Sequence, residues 1–229
     1  MKKRLSKRYK KIKSANKDKK IESLEDAIKK IKNNCTTKFD ESIDVSLRLN
    51  LKQKKEETSL RTLVNLPHGN GKKIKIAVLC EENKVKDAKD AGAVLAGSEN
   101  LINDITSGKI NFDKLIATPT MMSKMGKLGK ILGPKGLMPN PKLGTVTADV
   151  KKAVKALKEG QIEIKNDPDG NIGASIGKKS FPDNKIAENF NTFISTIKKE
   201  KPSGIKGEFI LSSFLTSSMG ISYKLKIKA

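Results

Sequence analysis

The sequence predicts two domains of different character. One is a split antiparallel α+β sandwich formed by both chain ends. The other is an inserted three-layer parallel α/β domain of Rossmann-like type. Three observations predict this. Both ends carry apolar/polar alternation, the period of strands with one wet face. The middle carries continuous apolar runs separated by helical stretches, as parallel strands covered on both sides do. Each end section alone has about 65 residues and a thin core, marginal for independent folding. The expected boundaries are a basic arm over 1–20, a discontinuous domain over 21–68 plus 160–229, and an insert over 69–159. Crossings near 67–71 and 159–161 would act as a double hinge.

The elements follow in order. Residues 1–20 hold eleven Lys/Arg and one acid, Asp18. They read either as a mobile basic arm that meets phosphates or as a solvated tail. Ser23 precedes a helix with Leu24, Ile28 and Ile31 on one face and Asp26 in the first turn. Ile43, Val45, Leu47, Leu49 and Leu51 alternate with Asp44, Ser46, Arg48 and Asn50 to make a strand. After KQKKEE a second strand puts Leu60, Thr62, Val64 and Leu66 on one side, and Pro67, Gly69 and Gly71 end it. KIKIAVLC, AVLAG and FDKLIATP are the three apolar runs of the middle, alternating with helices around Val85 to Ala91 and Leu101 to Ile105. A further helix is expected from Asp149 to Glu159. From Gln161 alternation returns in QIEIK and NIGASIG around the turn NDPDG. FPDNKIAENFNTFISTIKKEK reads as an amphipathic helix with Ile186, Phe190, Ile194 and Ile197 in one stripe. Strands over Glu208 to Leu215 and Ile221 to Ile227 close the chain, the last with Lys224, Lys226 and Lys228 on its open face.

Composition narrows the function. The net charge is +23, from 48 Lys and Arg against 25 Asp and Glu in 229 residues. A folded chain this basic has a polyanion as its expected partner. The middle, 69–159, carries 17 Lys and nine acids; of the remaining net +15, ten units lie in the first 20 residues. Charge alone therefore does not choose the binding domain. No apolar run approaches the roughly 20 residues of a membrane span, and no signal peptide is visible. Cys35 and Cys80 are the two cysteines, without a CxxC, and read as buried thiols of a reducing compartment. His68 is the single histidine. That removes His-rich metal sites and weakens His-based catalysis.

Enzyme motifs fail. GKLGK at Gly126 to Lys130 is followed by Ile131, so it lacks both the spacing and the hydroxyl of a phosphate-binding GxxxxGK loop. HGNGKK has isoleucine where the third glycine of GxGxxG belongs. No GxSxG is present, and no catalytic residue, metal ligand or cofactor is assigned. The loop GKLGKILGPKGLMPNPKLGTVT, with five Gly, three Pro, four Lys and no acid, fits a phosphate loop, an RNA surface or a stiff connector.

Two segments favour RNA. In TKFDESID, Phe39 beside Lys38 fits either a contact to ribose or base, or ordinary core filling, which the pattern alone favours. In LTSSMGIS, small hydroxyl residues and Gly220 permit close backbone approach, and Met219 offers an adaptable apolar contact. A plain hairpin turn also fits, and the pattern alone favours it.

These segments, with NLPHGNGK, FDKLIATPTMM, GKKSF, SSMG and the long Gly/Pro loop, resemble the L-one family of bacterial large-subunit ribosomal proteins, from about Lys38 to Ser222. The resemblance implies a two-domain protein with an insert, without catalytic activity, cofactor or membrane, monomeric when free, and cytoplasmic on the ribosome. It implies that the split domain binds the mobile stalk of large-subunit rRNA within the large ribosomal subunit. It implies assistance in moving and releasing exit-site tRNA, and repression of its own operon mRNA. By motif, the RNA contacts would be Lys38, Phe39, Ser42 and Asp44, with Asp167 from the NDPDG turn and Ser212, Ser218, Met219 and Gly220 from the other chain end. Ser42 and Ser218 stand where the family commonly has threonine. Ile221 replaces a frequent proline, Thr62 a glycine and Thr120 an aspartate.

Overall fold

The structure is a computed structural model and describes residues 5–16, 21–51, 60–202 and 207–226. KQKKEE, the ends of the basic arm and the last residues of the final strand, including Ile227 and Lys228, lie outside the described residues. The chain divides into two compact units, 1–71 with 162–229 and 72–161.

In chain order the elements are α1 (Lys7–Ala15), α2 (Leu24–Asn34), β1 (Ser42–Leu49), β2 (Arg61–Asn65), β3 (Ile76–Leu79), α3 (Glu82–Asp90), β4 (Leu95–Gly97), α4 (Glu99–Thr106), β5 (Lys114–Ala117), α5 (Pro119–Met125), α6 (Gly129–Leu132), α7 (Val150–Lys158), β6 (Gln161–Lys165), β7 (Asn171–Lys178), α8 (Asp183–Lys199), β8 (Ile210–Ser217) and β9 (Tyr223–Leu225). The mixed α/β class agrees with the sequence reading, with an antiparallel sheet in the first unit and a parallel one in the second.

In the first unit a four-stranded sheet runs β7-β1-β8-β9, and β2 pairs β6 separately. Alternation along β1 buries Ile43, Val45, Leu47 and Leu49. These pack with Ala27, Ile28 and Ile31 of α2 and Ile186, Phe190, Phe193, Ile194 and Ile197 of α8 in one core. Ser23 caps α2 by accepting from the Asp26 N–H, as the sequence predicts. The helices cover one face of the sheet. The residues between the buried ones therefore form the other face: Ser42, Asp44, Ser46 and Arg48 on β1, with Ser175, Gly173 and Asn171 opposite on β7 and Thr216, Phe214 and Ser212 opposite on β8. Lys224 on β9 stands opposite Phe214.

In the second unit β4-β3-β5 is parallel. Its two faces are buried on different residues of β3. Ala77 and Leu79 pack with Leu101, Ile105, Leu115, Met121, Met125, Leu128 and Leu132. Ile76, Val78 and Cys80 pack with Ala88, Val150, Val154 and Leu157. That two-sided burial is why these strands read as continuous apolar runs.

Two segments are more ordered than their composition suggests. Lys7–Ala15, read as part of a mobile arm, form a helix capped by Ser6, whose Oγ accepts from the Tyr9 N–H. The Gly126–Thr147 segment is not extended loop: it holds α6 and two 3-10 turns, and buries Leu128, Leu132 and Leu143. Lys127, Lys130, Lys135 and Lys142 stay exposed. It is thus a structured part of the second unit's core.

Candidate nucleic-acid interface

At the Ser42 end of the sheet, two loops from opposite ends of the chain lie side by side. The 36–41 loop leads into β1, and the 218–222 turn joins β8 to β9. Ser42 and Ser218 stitch them: Ser42 N–H donates to Ser218 Oγ at 3.1 Å, and Ser218 N–H donates to Ser42 O at 3.0 Å. Neither bond needs the methyl that the family's threonine would add.

Glu41 organises this end. Its side chain is fully buried, accepts from Thr37 Oγ1 at 2.8 Å and from the Met219 N–H at 3.1 Å, and is also bonded by Ser217. Burial pushes its carboxyl up, but the bonds from Thr37, Ser217 and Met219 outweigh burial and hold it below the usual glutamate value. Gly220 answers to the same group: a Cβ there would collide with Ser217 Oγ, the hydroxyl that serves Glu41.

The GKKSF motif supports the first loop from beneath. Lys179 N–H donates to Glu41 O and Lys179 Nζ to Cys35 O, while Ser180 donates twice to the Asp40 carboxylate. Arg8 of α1 clasps both loops, donating to Thr36 Oγ1 at 3.2 Å and Met219 O at 2.7 Å.

With their backbones held this way, two large apolar side chains face outward. Phe39 is 54% exposed and Met219 50% exposed. The core-filling reading of Phe39 does not hold. Lys38 beside it is exposed as well. Burial pushes the thiols of Cys35 and Cys80 up, as expected of inert core cysteines.

The structure brings most of the sequence-predicted residues together. Lys38, Phe39, Ser42, Ser218, Met219 and Gly220 share one end of the sheet. Asp44 lies one step along the open face, and Ser212 lies on the same face opposite Arg48. Asp167 stands apart. β7 runs from Asn171 opposite Arg48 to Lys178 opposite Ser42, so the NDPDG turn is about 20 Å along the strands from Ser42 at 3.3 Å per residue. Both its carboxylate oxygens cap the turn, accepting from the Asn171 N–H at 2.6 Å and Asn171 Nδ2 at 3.0 Å. These bonds, the side-chain one foremost, hold its carboxyl below the usual range. Sequence reasoning missed Glu41, Thr37, Arg8, Ser46, Arg48 and Phe214. The open-face residues were findable, since they are the wet half of the strand alternation. Met219, the partner that Glu41 and Arg8 share, was not, because it lies at the far end of the chain.

Comparison with known proteins decides the family. Residues 28–221 match the model of the ribosomal protein L1p/L10e family. The chain belongs to this family. It is 56% identical to the large ribosomal subunit protein uL1 of Pelagibacter ubique (strain HTCC1062) over 223 residues, 97% of each chain. It is 45% identical to the protein of the same name from Rickettsia akari (strain Hartford), over 90% of this chain and 86% of that one. The paired-loop site lies inside the family match as far as Ile221. All of α1 lies outside it. Among the described residues, no helix is long and apolar enough to cross a membrane.

Proposed function

We propose that this L1p/L10e-family chain is a structural constituent of the large ribosomal subunit. In this reading its first unit binds the mobile stalk of large-subunit rRNA through the paired loops and the open sheet face. The observation that carries it is the exposure of Phe39 and Met219 on two loops locked together by buried Glu41. Scattered apolar residues are exposed elsewhere, but two on loops that are bonded to each other make an apolar patch of the kind that marks a binding surface. RNA recognition uses such platforms: aromatic and apolar side chains take unstacked bases, and polar edges read them. Here Lys38, Lys178, Arg48 and Lys224 supply cations for phosphates. Ser42, Ser46, Ser212 and Thr216 offer hydroxyls to riboses and base edges. Asp44 offers an acceptor for a base amino group.

Two further roles extend this reading, one at the exit site and one on a messenger. On the ribosome, in the cytoplasm, the protein assists movement and release of exit-site tRNA. Away from it, the free monomer represses its own operon by binding a messenger that mimics the stalk site. The test is competition binding at near-physiological salt, with the labelled stalk fragment challenged by excess unrelated RNA. Retained stalk binding supports the reading. Equal displacement by unrelated RNA would mean that charge alone binds, and the reading fails.

A further inference from the structure

The amino-terminal helix is unlike the tail its composition suggests. α1 has five basic residues and no acid in nine positions. Three anchors fix it on the first unit. Ile12 is buried. Arg8, near its start, bonds Thr36 and Met219. Asn16, at its end, accepts from the Tyr223 hydroxyl at 3.1 Å, and that hydroxyl in turn accepts from Asn34 Nδ2 at 2.6 Å. Because Arg8 and Ile12 face the body, Lys10 and Lys13 are left exposed on the docked helix.

Between α1 and the turn after Gly220 lies a groove of about 550 Å³, within the roughly 300–1,000 Å³ of small-ligand sites. Leu5, Tyr9 and Ile221 give it apolar surface, and Lys10, Lys13 and Ser222 give it cationic and polar surface. Ile221 and Ser222 directly follow Met219 and Gly220, so the groove continues the paired-loop site. An aromatic ring, an aliphatic wall and two ammonium groups match the parts of one nucleotide: base, ribose and phosphate.

We infer that α1 is a second RNA-contacting surface and that its groove receives a single unpaired nucleotide of the RNA bound by the paired loops. This rests on the reading of the first unit as an RNA-binding body. The groove fits an RNA because the charge complements phosphate and the surface is continuous with the proposed interface. A mobile tail would add affinity without preference for position along the RNA. A helix pinned by Arg8 and Asn16 adds it at one place.

The test uses the full chain and the stalk-RNA fragment, with binding titrated across salt. Lys10→Gln plus Lys13→Gln removes the groove's charge. Lys7→Gln plus Lys11→Gln removes equal charge from the same helix but away from the groove. Lys and Gln have similar helix propensity, so circular dichroism should be unchanged in both. The first pair is expected to lose about tenfold in affinity and to flatten the log–log salt slope by roughly 1.4–1.8, two phosphate contacts' worth. The second is expected to lose less than about threefold, and Tyr9→Leu to lose about fivefold by removing the stacking ring. Equal losses from both lysine pairs, or no loss from the first, overturn the inference while leaving the paired-loop site standing. A wild-type protein without preference for the stalk fragment overturns both.

Discussion

The buried carboxylate of Glu41 and the backbone N–H of Met219 meet at 3.1 Å across 178 residues of chain. One residue belongs to the first strand's approach, the other to the last hairpin. The bond closes the first unit and presents Phe39 and Met219 together.

Glu41→Ala should therefore cost both stability and binding. It takes the acceptor from the Met219 N–H and from the buried Ser217 hydroxyl and leaves a cavity. Each unpaired buried group costs about 1–3 kcal/mol, so urea unfolding of the variant should show a loss of about 2–4 kcal/mol. Stalk-RNA affinity should fall in the fraction that remains folded.

The same carboxylate predicts a pH dependence. Its folded-state pKa lies below the ordinary value of 4.5, so the native state favours the charged form. Its contribution is fully present above the unfolded value and is lost as pH falls through the lowered folded value. Unfolding free energy measured from pH 6 downward should decline below about pH 4.5. In Glu41→Gln that decline should be shallower than in wild type, because the group that titrates there is gone.

Asn189 makes a second long-range clasp. Buried on α8, it donates to Gly69 O and Ile176 O and accepts from the His68 N–H. Asn189→Ala should lower stability by about 2–4 kcal/mol by thermal or urea unfolding. Gly71 sits at φ +73°, with Lys178 Cγ 3.0 Å and Phe181 3.2 Å from where a Cβ would go. Gly71→Ala should thus destabilise through both backbone strain and crowding, by about 1–3 kcal/mol.

The Gly/Pro segment separates structure from charge. Leu132 is fully buried, so Leu132→Ala should cost about 2–5 kcal/mol. Neutralising Lys127, Lys130, Lys135 and Lys142 together should leave circular dichroism intact and stalk-RNA affinity within about threefold, a change of under 1 kcal/mol. A tenfold loss in that folded variant would give the loop an RNA role and enlarge the interface.

What the sequence made legible follows from which forces are local. The β1 strand shows in the alternation from Ile43 because burial on a sheet face has period two. The parallel strands show as apolar runs because both faces are covered. The NDPDG turn shows because Asp167 bonds Asn171, four residues away. What was hidden depends on distant partners. KRYKKIKSA carries Ile12 and Tyr9 as its large apolar residues, too few for a helical stripe, and its docking relies on Arg8 reaching Met219 across 211 residues. The Gly/Pro segment reads as loop by composition, and the helical turns that bury Leu128 and Leu132 are fixed by the core they enter. Glu41 looks like one more surface acid in TKFDESID, and its partner Met219 cannot be inferred from its neighbours. Phe39 reads as core by residue type, yet the loop that Glu41 and Asp40 hold in place turns it outward.

The central claim is that Phe39 and Met219 form one RNA platform. It is tested most directly by titrating the stalk-rRNA fragment with wild type and with the Phe39→Ala, Met219→Ala double variant, alongside an unrelated RNA of equal length. Both side chains are about half exposed, so the variant should unfold with the wild-type midpoint. The account predicts that it loses about tenfold or more in stalk affinity while its weak binding to the unrelated RNA is unchanged. Wild-type stalk affinity in a folded double variant would contradict the account and move the RNA site off the paired loops.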